Sequence, residues 1–119
     1  MGVMYYAEYL HLFERSRSEF IRERGRSYAD VEKNGILLPV REVQCRYRHP
    51  CRYDELVWIR AGIGELGRAS LKFVYEILDA DKNRLLADGM TQHALTNADG
   101  RPVRMPEWFR ALVSNPEKV

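Results

Sequence analysis

The chain has 119 residues, of which 45% are hydrophobic and 30% are charged, so it has the length of one domain and the composition of an ordinary globular protein. Its net charge is only +2, and basic residues alternate with acidic ones, as in "ERSRSEFIRERGR"; a nucleic-acid-binding protein would carry a stripe of one sign. No apolar run has the length of a membrane span and no signal peptide precedes the first predicted helix, so we expect a cytoplasmic protein.

The N-terminal part is predicted to be helical. Apolar residues recur at helical spacing over residues 7–24, where Ser16 and Arg17 interrupt the apolar stripe. Gly25 fits the C-cap of this helix. Ser27 then fits the N-cap of a second, short helix that the next glycine would end.

The rest of the chain is mostly extended, with alternating apolar and polar residues that predict consecutive antiparallel strands. The stretches "DADKN" and "NADG" have the composition of tight turns, and Pro106 fits the start of a short terminal helix. A helix segregated from an antiparallel sheet places the chain in the α+β class. The four predicted strands are residues 36–49, 55–66, 68–79 and 84–96.

The alternation also predicts which residues share a face of the sheet. Long, twisted strands can curl around a helix, so we expect Phe13 and Phe20 of the long helix to pack on the sheet. In the first strand the shared face carries Val43, Cys45 and Tyr47. In the third strand it carries Leu71, Phe73, Tyr75 and Ile77.

The two cysteines do not form a metal signature. Cys45 and Cys51 are six residues apart with only His49 nearby, which is not the spacing of a zinc site. We interpret both as small buried or half-buried residues, with a catalytic cysteine as the alternative. We therefore predict no metal site.

The opening "GVMYYAEYLHLFERSRSEFIRERG" resembles the first helix of the hotdog-fold acyl-CoA thioesterases of the 4-hydroxybenzoyl-CoA and YbgC type. Their pattern is Gly-Val-x-Tyr-x-x-Asn-Tyr, followed by Phe-Glu-x-x-Arg. The matching residues here are Gly2, Val3, Tyr5, Tyr9, Phe13, Glu14 and Arg17, and Tyr47, Pro50 and Asp54 match a later strand entry. The resemblance implies one hotdog domain over residues 1–119, with a long central helix wrapped by an antiparallel sheet, and a homodimer or dimer of dimers.

The resemblance also implies an activity, the hydrolysis of an acyl-CoA or acyl-carrier-protein thioester without a cofactor. It assigns the oxyanion donor to the backbone N–H of Tyr6. Glu8 is the only acid inside the motif and is the candidate catalytic carboxylate, although the helix dipole alone also favours an acid in a first turn.

Further site residues follow from the resemblance. Gly2, Val3, Tyr9 and Ser70 are predicted to bind substrate. Arg101 and Arg104 are predicted to meet the phosphates of CoA, since arginine suits phosphate geometry; the alternative is that both are simply solvated.

One departure from the family concerns the catalytic acid. The family aspartate precedes the motif glycine, so it would lie upstream of Met1 here, and we expect the natural protein to begin further upstream; a shortened paralogue without the acid is the alternative. Tyr6 stands where some relatives carry a histidine. Two other functions are considered: a non-catalytic hotdog protein that binds acyl thioesters or a partner, and a hotdog dehydratase, which the absent histidine disfavours.

Overall fold

The computed structural model of the chain describes residues 6–50 and 55–114, within which three helices and four strands occur. The helices are α1 (Tyr6–Glu23), α2 (Tyr28–Lys33) and α3 (Glu107–Ser114). The strands are β1 (Val40–Tyr47), β2 (Val57–Leu66), β3 (Ser70–Asp79) and β4 (Leu85–Ala94). The predicted elements are confirmed within a few residues.

The four strands form one antiparallel sheet in the order β1-β4-β3-β2. Strands β2, β3 and β4 follow one another as hairpins, whereas β1 adds beside β4 and occupies the opposite edge from β2. The register of β1 shifts between Val40 and Glu42. This irregularity directly follows Pro39, at which the sequence predicts an edge or a bulge.

Helix α1 packs on the inner face of the sheet through aromatic rings. Phe13 stacks on Tyr75 with ring centroids 4.2 Å apart, and Phe20 meets Phe73 edge-on at 5.5 Å. The four alternating residues predicted to share one face of β3 are all buried. The predicted packing of the helix on the sheet is therefore confirmed.

The close approach of α1 to the sheet depends on a glycine. A Cβ atom at Gly89 would overlap the carbonyl oxygen of Gln44 and would lie 2.8 Å from the ring of Phe13. Real Cβ atoms are not found at such distances, so a side chain here would push the helix away from β4.

The caps and turns are those that the sequence predicts. Ser27 Oγ accepts the backbone N–H of Asp30 at 3.0 Å at the start of α2. Gly25 has φ of 105° and ends the first helix in a conformation that favours glycine. In the turn between β3 and β4, Asp79 Oδ1 accepts the N–H of Asn83 at 2.9 Å.

The burial of two sets of residues does not follow from the helical and strand patterns. Ser16 and Arg17 interrupt the apolar stripe of α1, yet both side chains are buried. Val43 and Tyr47 share the face of β1 that the alternation predicts, yet their side chains are 41% and 52% exposed. β1 is a sheet edge, where covering elements are fewer.

Candidate active site

The predicted oxyanion donor, the backbone N–H of Tyr6, belongs to the start of α1. Tyr6 is the first residue of the helix, and Glu8 lies in its first turn. The first four N–H groups of a helix have no intrahelical partner and carry partial positive charge. An oxygen that becomes negative during a reaction is stabilised at such a position.

A groove of 1070 Å³ runs between α1 and β2, and Glu8 is one of its lining residues. Its apolar walls come from both elements, with Leu12 and Phe20 from the helix and Ile59 from the strand. Glu8 is half-buried. The groove therefore places a carboxylate of the first helical turn beside an apolar surface that an acyl group could cover.

On the β2 side of the groove, an aromatic ring, that of Trp58, forms a cation–π contact with a lysine side chain. The ammonium of Lys82 lies 3.9 Å from the centroid of the Trp58 ring. The indole Nε1–H of Trp58 donates to the carbonyl oxygen of Ala80 at 2.9 Å. These two contacts hold the indole at the rim of the groove. The exposed Leu56 also lines the groove.

Tyr9, a predicted substrate-binding residue, is buried in the core. Its side chain is 2% exposed, and its ring meets that of Tyr47 edge-on at 4.9 Å. It is not among the residues that line the groove. Its packing role is clear, and its role in binding substrate stays a prediction.

Ser70, Arg101 and Arg104 lie at the opposite end of the sheet from the start of α1. Ser70 begins β3 and pairs with Ala94. Tyr9, near the start of the helix, contacts Tyr47, and the row of paired residues that starts at Tyr47 crosses β3 at Ile77. Seven residues of strand span about 23 Å. One chain therefore does not bring the two groups together.

The two arginines belong to the segment that follows β4. This segment returns beside β3, since the N–H of Val103 donates to Leu95 O at 2.9 Å and the N–H of Met105 donates to Arg68 O at 2.6 Å. Arg101 and Arg104 are both exposed. Their side chains are thus available to an anionic ligand near Ser70.

Three residues named in the sequence analysis cannot be assigned a position. Gly2 and Val3 lie outside the residues that the structure describes, as does Cys51. Within residues 6–50 and 55–114, no three histidine, cysteine or acidic side chains cluster as metal ligands would. No helix in these same ranges is both long and apolar enough to cross a bilayer.

Cys45 is half-buried, and it is a free thiol within the part of the chain that the structure describes. Burial raises the pKa of its thiol. A raised pKa lowers the fraction of thiolate, which is the nucleophilic form. The geometry thus favours the structural interpretation of this cysteine over the catalytic one.

A chain of hydrogen bonds crosses the core beneath α1, and the sequence patterns do not reveal it. Arg17 Nη1 donates to the hydroxyl oxygen of Tyr75 at 3.2 Å. The Tyr75 hydroxyl lies 2.6 Å from Thr91 Oγ1, which lies 2.7 Å from His93 Nε2. His93 Nδ1 lies 2.9 Å from the carbonyl oxygen of Leu38.

The donor and acceptor of each hydrogen bond in this network follow from which groups are able to donate. The carbonyl of Leu38 only accepts, so His93 donates from Nδ1, and the neutral ring accepts at Nε2. Thr91 then donates to His93 and accepts from Tyr75, which itself accepts from Arg17. Burial is the main cause that lowers the pKa of His93 to about 4, and this agrees with a neutral ring.

Arg17 is a buried cation in this network. Its side chain is 8% exposed, and no carboxylate of the described residues forms an ion pair with it. Its Nε has no hydrogen-bond partner within the described part of the chain. The burial of Arg17 could have been predicted from its spacing, because a residue four positions after Phe13 lies on the same helical face and is expected to be buried with it.

The comparison with known families identifies the chain. The sequence model of the thioesterase-like superfamily matches residues 1–113. The chain belongs to the thioesterase-like superfamily. Among the curated members of this superfamily, the acyl-CoA thioester hydrolase YbgC of Escherichia coli O6:H1 is 30% identical over 84 residues, which are 71% of this chain and 63% of that protein.

Solved structures of other proteins share the fold. A hypothetical protein from Thermus thermophilus matches with a TM-score of 0.87 and 32% identity, covering 96% of this chain and 86% of that one. The DHNA-CoA thioesterase from Staphylococcus aureus matches with a TM-score of 0.82 and 32% identity, covering 93% of this chain and 77% of that one. The hotdog fold that the sequence motif implies is thus confirmed.

Proposed function

We propose that this protein hydrolyses acyl-CoA thioesters to a free acid and CoA at the start of α1. Membership of the thioesterase-like superfamily supports this activity. The names of its relatives support it as well, since they include an acyl-CoA thioester hydrolase and a DHNA-CoA thioesterase. The observation that carries the proposal is the position of Glu8, which lies in the first turn of α1 and lines the large groove.

The chemistry needs a polarised carbonyl and a carboxylate. The thioester oxygen would accept from the backbone N–H of Tyr6, a donor worth roughly 3 kcal/mol to the transition state. Water attacks the carbonyl carbon while Glu8 takes its proton. The carbon–sulfur bond then breaks, and the departing CoA sulfur receives a proton.

Binding of the CoA portion is assigned to a second copy of the chain. Ser70, Arg101 and Arg104 lie at the far end of the sheet from Tyr6 and Glu8, so one chain does not complete the site. A homodimer, or a dimer of dimers, would supply both groups to one substrate, with the arginines on the CoA phosphates. Gly2, Val3 and Tyr9 stay proposed substrate-binding residues.

Two other functions remain as alternatives. The protein would be a non-catalytic binder of acyl thioesters if no carboxylate acts on the bound substrate. It would be a dehydratase if it added water to an enoyl-CoA. Acyl-carrier-protein thioesters are tested beside acyl-CoA, and the predicted cytoplasmic location is tested separately by fractionation of the source cells.

The deciding experiment measures release of free thiol from a panel of aliphatic and aromatic acyl-CoA thioesters. We expect Glu8→Gln to lower kcat about 100-fold or more, as loss of a general base does. Glu14→Gln is the matched control, because Glu14 lies on the exposed side of the same helix. Equal rates for both variants would show that Glu8 is not the carboxylate. Binding without thiol release would favour the non-catalytic alternative.

A further inference from the structure

The groove between α1 and β2 is long, and it follows the axis of the helix. Its helical wall is one stripe of residues at helical spacing, from Glu8 to Glu23. The part of α1 between these two residues is about 22 Å long. A substrate whose carbonyl carbon lies beside Glu8 therefore has most of this length available for its acyl group.

The helical wall carries an uncharged row in its middle. Leu12, Ser16 and Phe20 line the groove at intervals of four residues, so they lie on one face of α1. This row is about 12 Å long. Arg15 and Glu19 also line the groove, but both side chains are exposed, so they border the row on its solvent side.

The wall formed by β2 matches this row in length. Val57, Ile59 and Ala61 line the groove, and they are half-buried whereas the residues between them are exposed. They therefore share the inner face of the strand over about 13 Å. The groove thus contains a channel with two uncharged walls of nearly equal length.

The two walls run in the same direction. Phe13 of the helix stacks on Tyr75, whereas Phe20 contacts Phe73, two residues earlier in β3. The helix therefore runs opposite to β3. Since β2 is also antiparallel to β3, the helix and β2 follow each other, and the channel extends along both.

The uncharged row ends at Phe20. The ring of Phe20 contacts Phe73 edge-on, and the guanidinium carbon of Arg24 lies 3.4 Å from its centroid. Beyond this ring the groove is lined by the exposed Glu23. A methylene group gains little beside an exposed carboxylate, so we expect the apolar part of a ligand to end at Phe20.

The distance from Glu8 to Phe20 sets the length of such a ligand. This part of the helix spans about 18 Å. A zigzag hydrocarbon chain advances about 1.3 Å per carbon, because its bonds are about 1.5 Å long. About 14 carbons therefore reach from the carbonyl position to Phe20. A single aromatic ring would leave most of the uncharged walls in contact with water.

Two small side chains keep the middle of the channel open. Of the residues that line the groove, Ser16 and Ala61 have the smallest side chains, and one stands on each wall. Ser16 is 7% exposed. Ala61 pairs with Tyr75 at the centre of the sheet. A larger side chain at Ser16 would fill the channel about 12 Å from Glu8.

We propose that the groove binds a straight-chain aliphatic acyl group of about 12 to 16 carbons, and that Ser16 and Ala61 determine the chain length that it accepts. The inference rests on the proposed hydrolysis beside Glu8, which fixes the carbonyl end of the substrate. Each methylene group that leaves water for the apolar walls strengthens binding roughly two- to fourfold. Affinity therefore rises with chain length until the chain reaches Phe20.

Thiol release from unbranched acyl-CoA thioesters, from butanoyl to octadecanoyl, tests the length of the channel. Benzoyl-CoA is the aromatic comparison, and every thioester is used below its micelle concentration. We expect kcat/KM to rise roughly two- to fourfold per carbon and to level off near tetradecanoyl-CoA. The highest kcat/KM with butanoyl-CoA or benzoyl-CoA would overturn this inference and leave the proposed activity standing.

A binding measurement separates this inference from the proposed activity. CoA thioethers that carry a 2-oxoalkyl group keep the carbonyl and the chain but are not hydrolysed. If no thioester releases thiol, the proposed activity fails, and titration calorimetry with these thioethers decides the inference. Dissociation constants that fall with chain length support it, and constants that do not depend on chain length overturn it.

Larger side chains in the channel test the two assigned residues. Ser16→Leu and Ala61→Leu each fill the channel from one wall, so each should lower the ratio of kcat/KM for tetradecanoyl-CoA to that for hexanoyl-CoA at least ~10-fold. Ser18→Leu is the matched control, because it makes the same change on the exposed side of α1. Its ratio should equal that of wild type.

The two variants lie on opposite walls, so either one measures the ratio if the other does not fold. Circular dichroism shows which of them are folded. A wild-type ratio in a folded channel variant would overturn the assignment of Ser16 and Ala61. The same fall in the ratio for Ser18→Leu would overturn it as well, because that side chain does not line the groove.

Discussion

The ring of Phe13 lies flat on the ring of Tyr75, with centroids 4.2 Å apart and planes 8° apart. Phe13 is fully buried, and it also lies against the backbone of Gly89. This stacking joins the middle of α1 to the centre of the sheet, so the position of the helix start relative to β2 depends on it.

Truncation of Phe13 should destabilise the fold strongly. Phe13→Ala removes a fully buried ring that lies against β3 and β4, and we expect a loss of about 3 to 5 kcal/mol in the free energy of unfolding. His11→Ala, on the exposed side of the same helix, should change it by less than about 0.5 kcal/mol. Urea denaturation midpoints of both variants check this, and equal midpoints would mean that α1 does not cover the sheet.

The hydroxyl of Tyr75 should contribute more to the free energy of unfolding when Arg17 is present than when Arg17 is replaced. Tyr75→Phe removes one acceptor of the buried guanidinium and leaves Thr91 without its donor, so we expect a cost of about 2 kcal/mol. In an Arg17→Met background the cost should be about 1 kcal/mol smaller, because no buried charge then loses an acceptor. Unfolding free energies of the four proteins in this cycle measure the coupling; additive costs would show that the contact contributes nothing.

His93 should make the fold sensitive to acid. Its pKa is lowered from 6.5 to about 4 in the folded state, so the unfolded chain binds the proton more readily. Stability is then full above pH 6.5, falls as the pH drops, and levels off below about 4. The loss is on the order of 3 kcal/mol.

The variant His93→Gln provides the comparison. Glutamine keeps polar atoms in the core but does not titrate, so the variant should be less stable at pH 7 and should lose about 3 kcal/mol less than wild type on acidification. Thermal unfolding from pH 7 to pH 4 measures both slopes. Parallel slopes would mean that His93 does not control the acid response.

The sequence predicts most of the architecture because period and turn chemistry are local properties. Alternation along β3 identifies a buried face correctly, and Ser27 and Pro106 correctly mark helix starts. The same alternation in β1 predicts that Val43 and Tyr47 share a face, but it does not predict that both side chains are exposed, because burial also depends on what covers a strand. That information lies in the spatial order of the strands, which places β1 at an edge.

The candidate site is less accessible to sequence reasoning. The motif indicates the helix start and Glu8 through neighbouring positions in the chain. It does not indicate that Ser70 and Arg101 lie at the other end of the sheet, because that distance arises from the pairing of β3 with β4. The buried position of Arg17 follows from helical spacing, but its partner Tyr75 is 58 residues away in the chain.

The hydrogen-bond chain from Arg17 to Leu38 has only one possible polarity, because its first group cannot accept and its last cannot donate. Both hydroxyl hydrogens are therefore fixed in orientation, and neither rotor contributes entropy to the native state. A dipole of constant sign runs from the helix through two strands to the segment before β1. A shift of α1 along the sheet would break the first bond of the chain, from Arg17 to Tyr75. The network therefore favours one position of the helix along the strands.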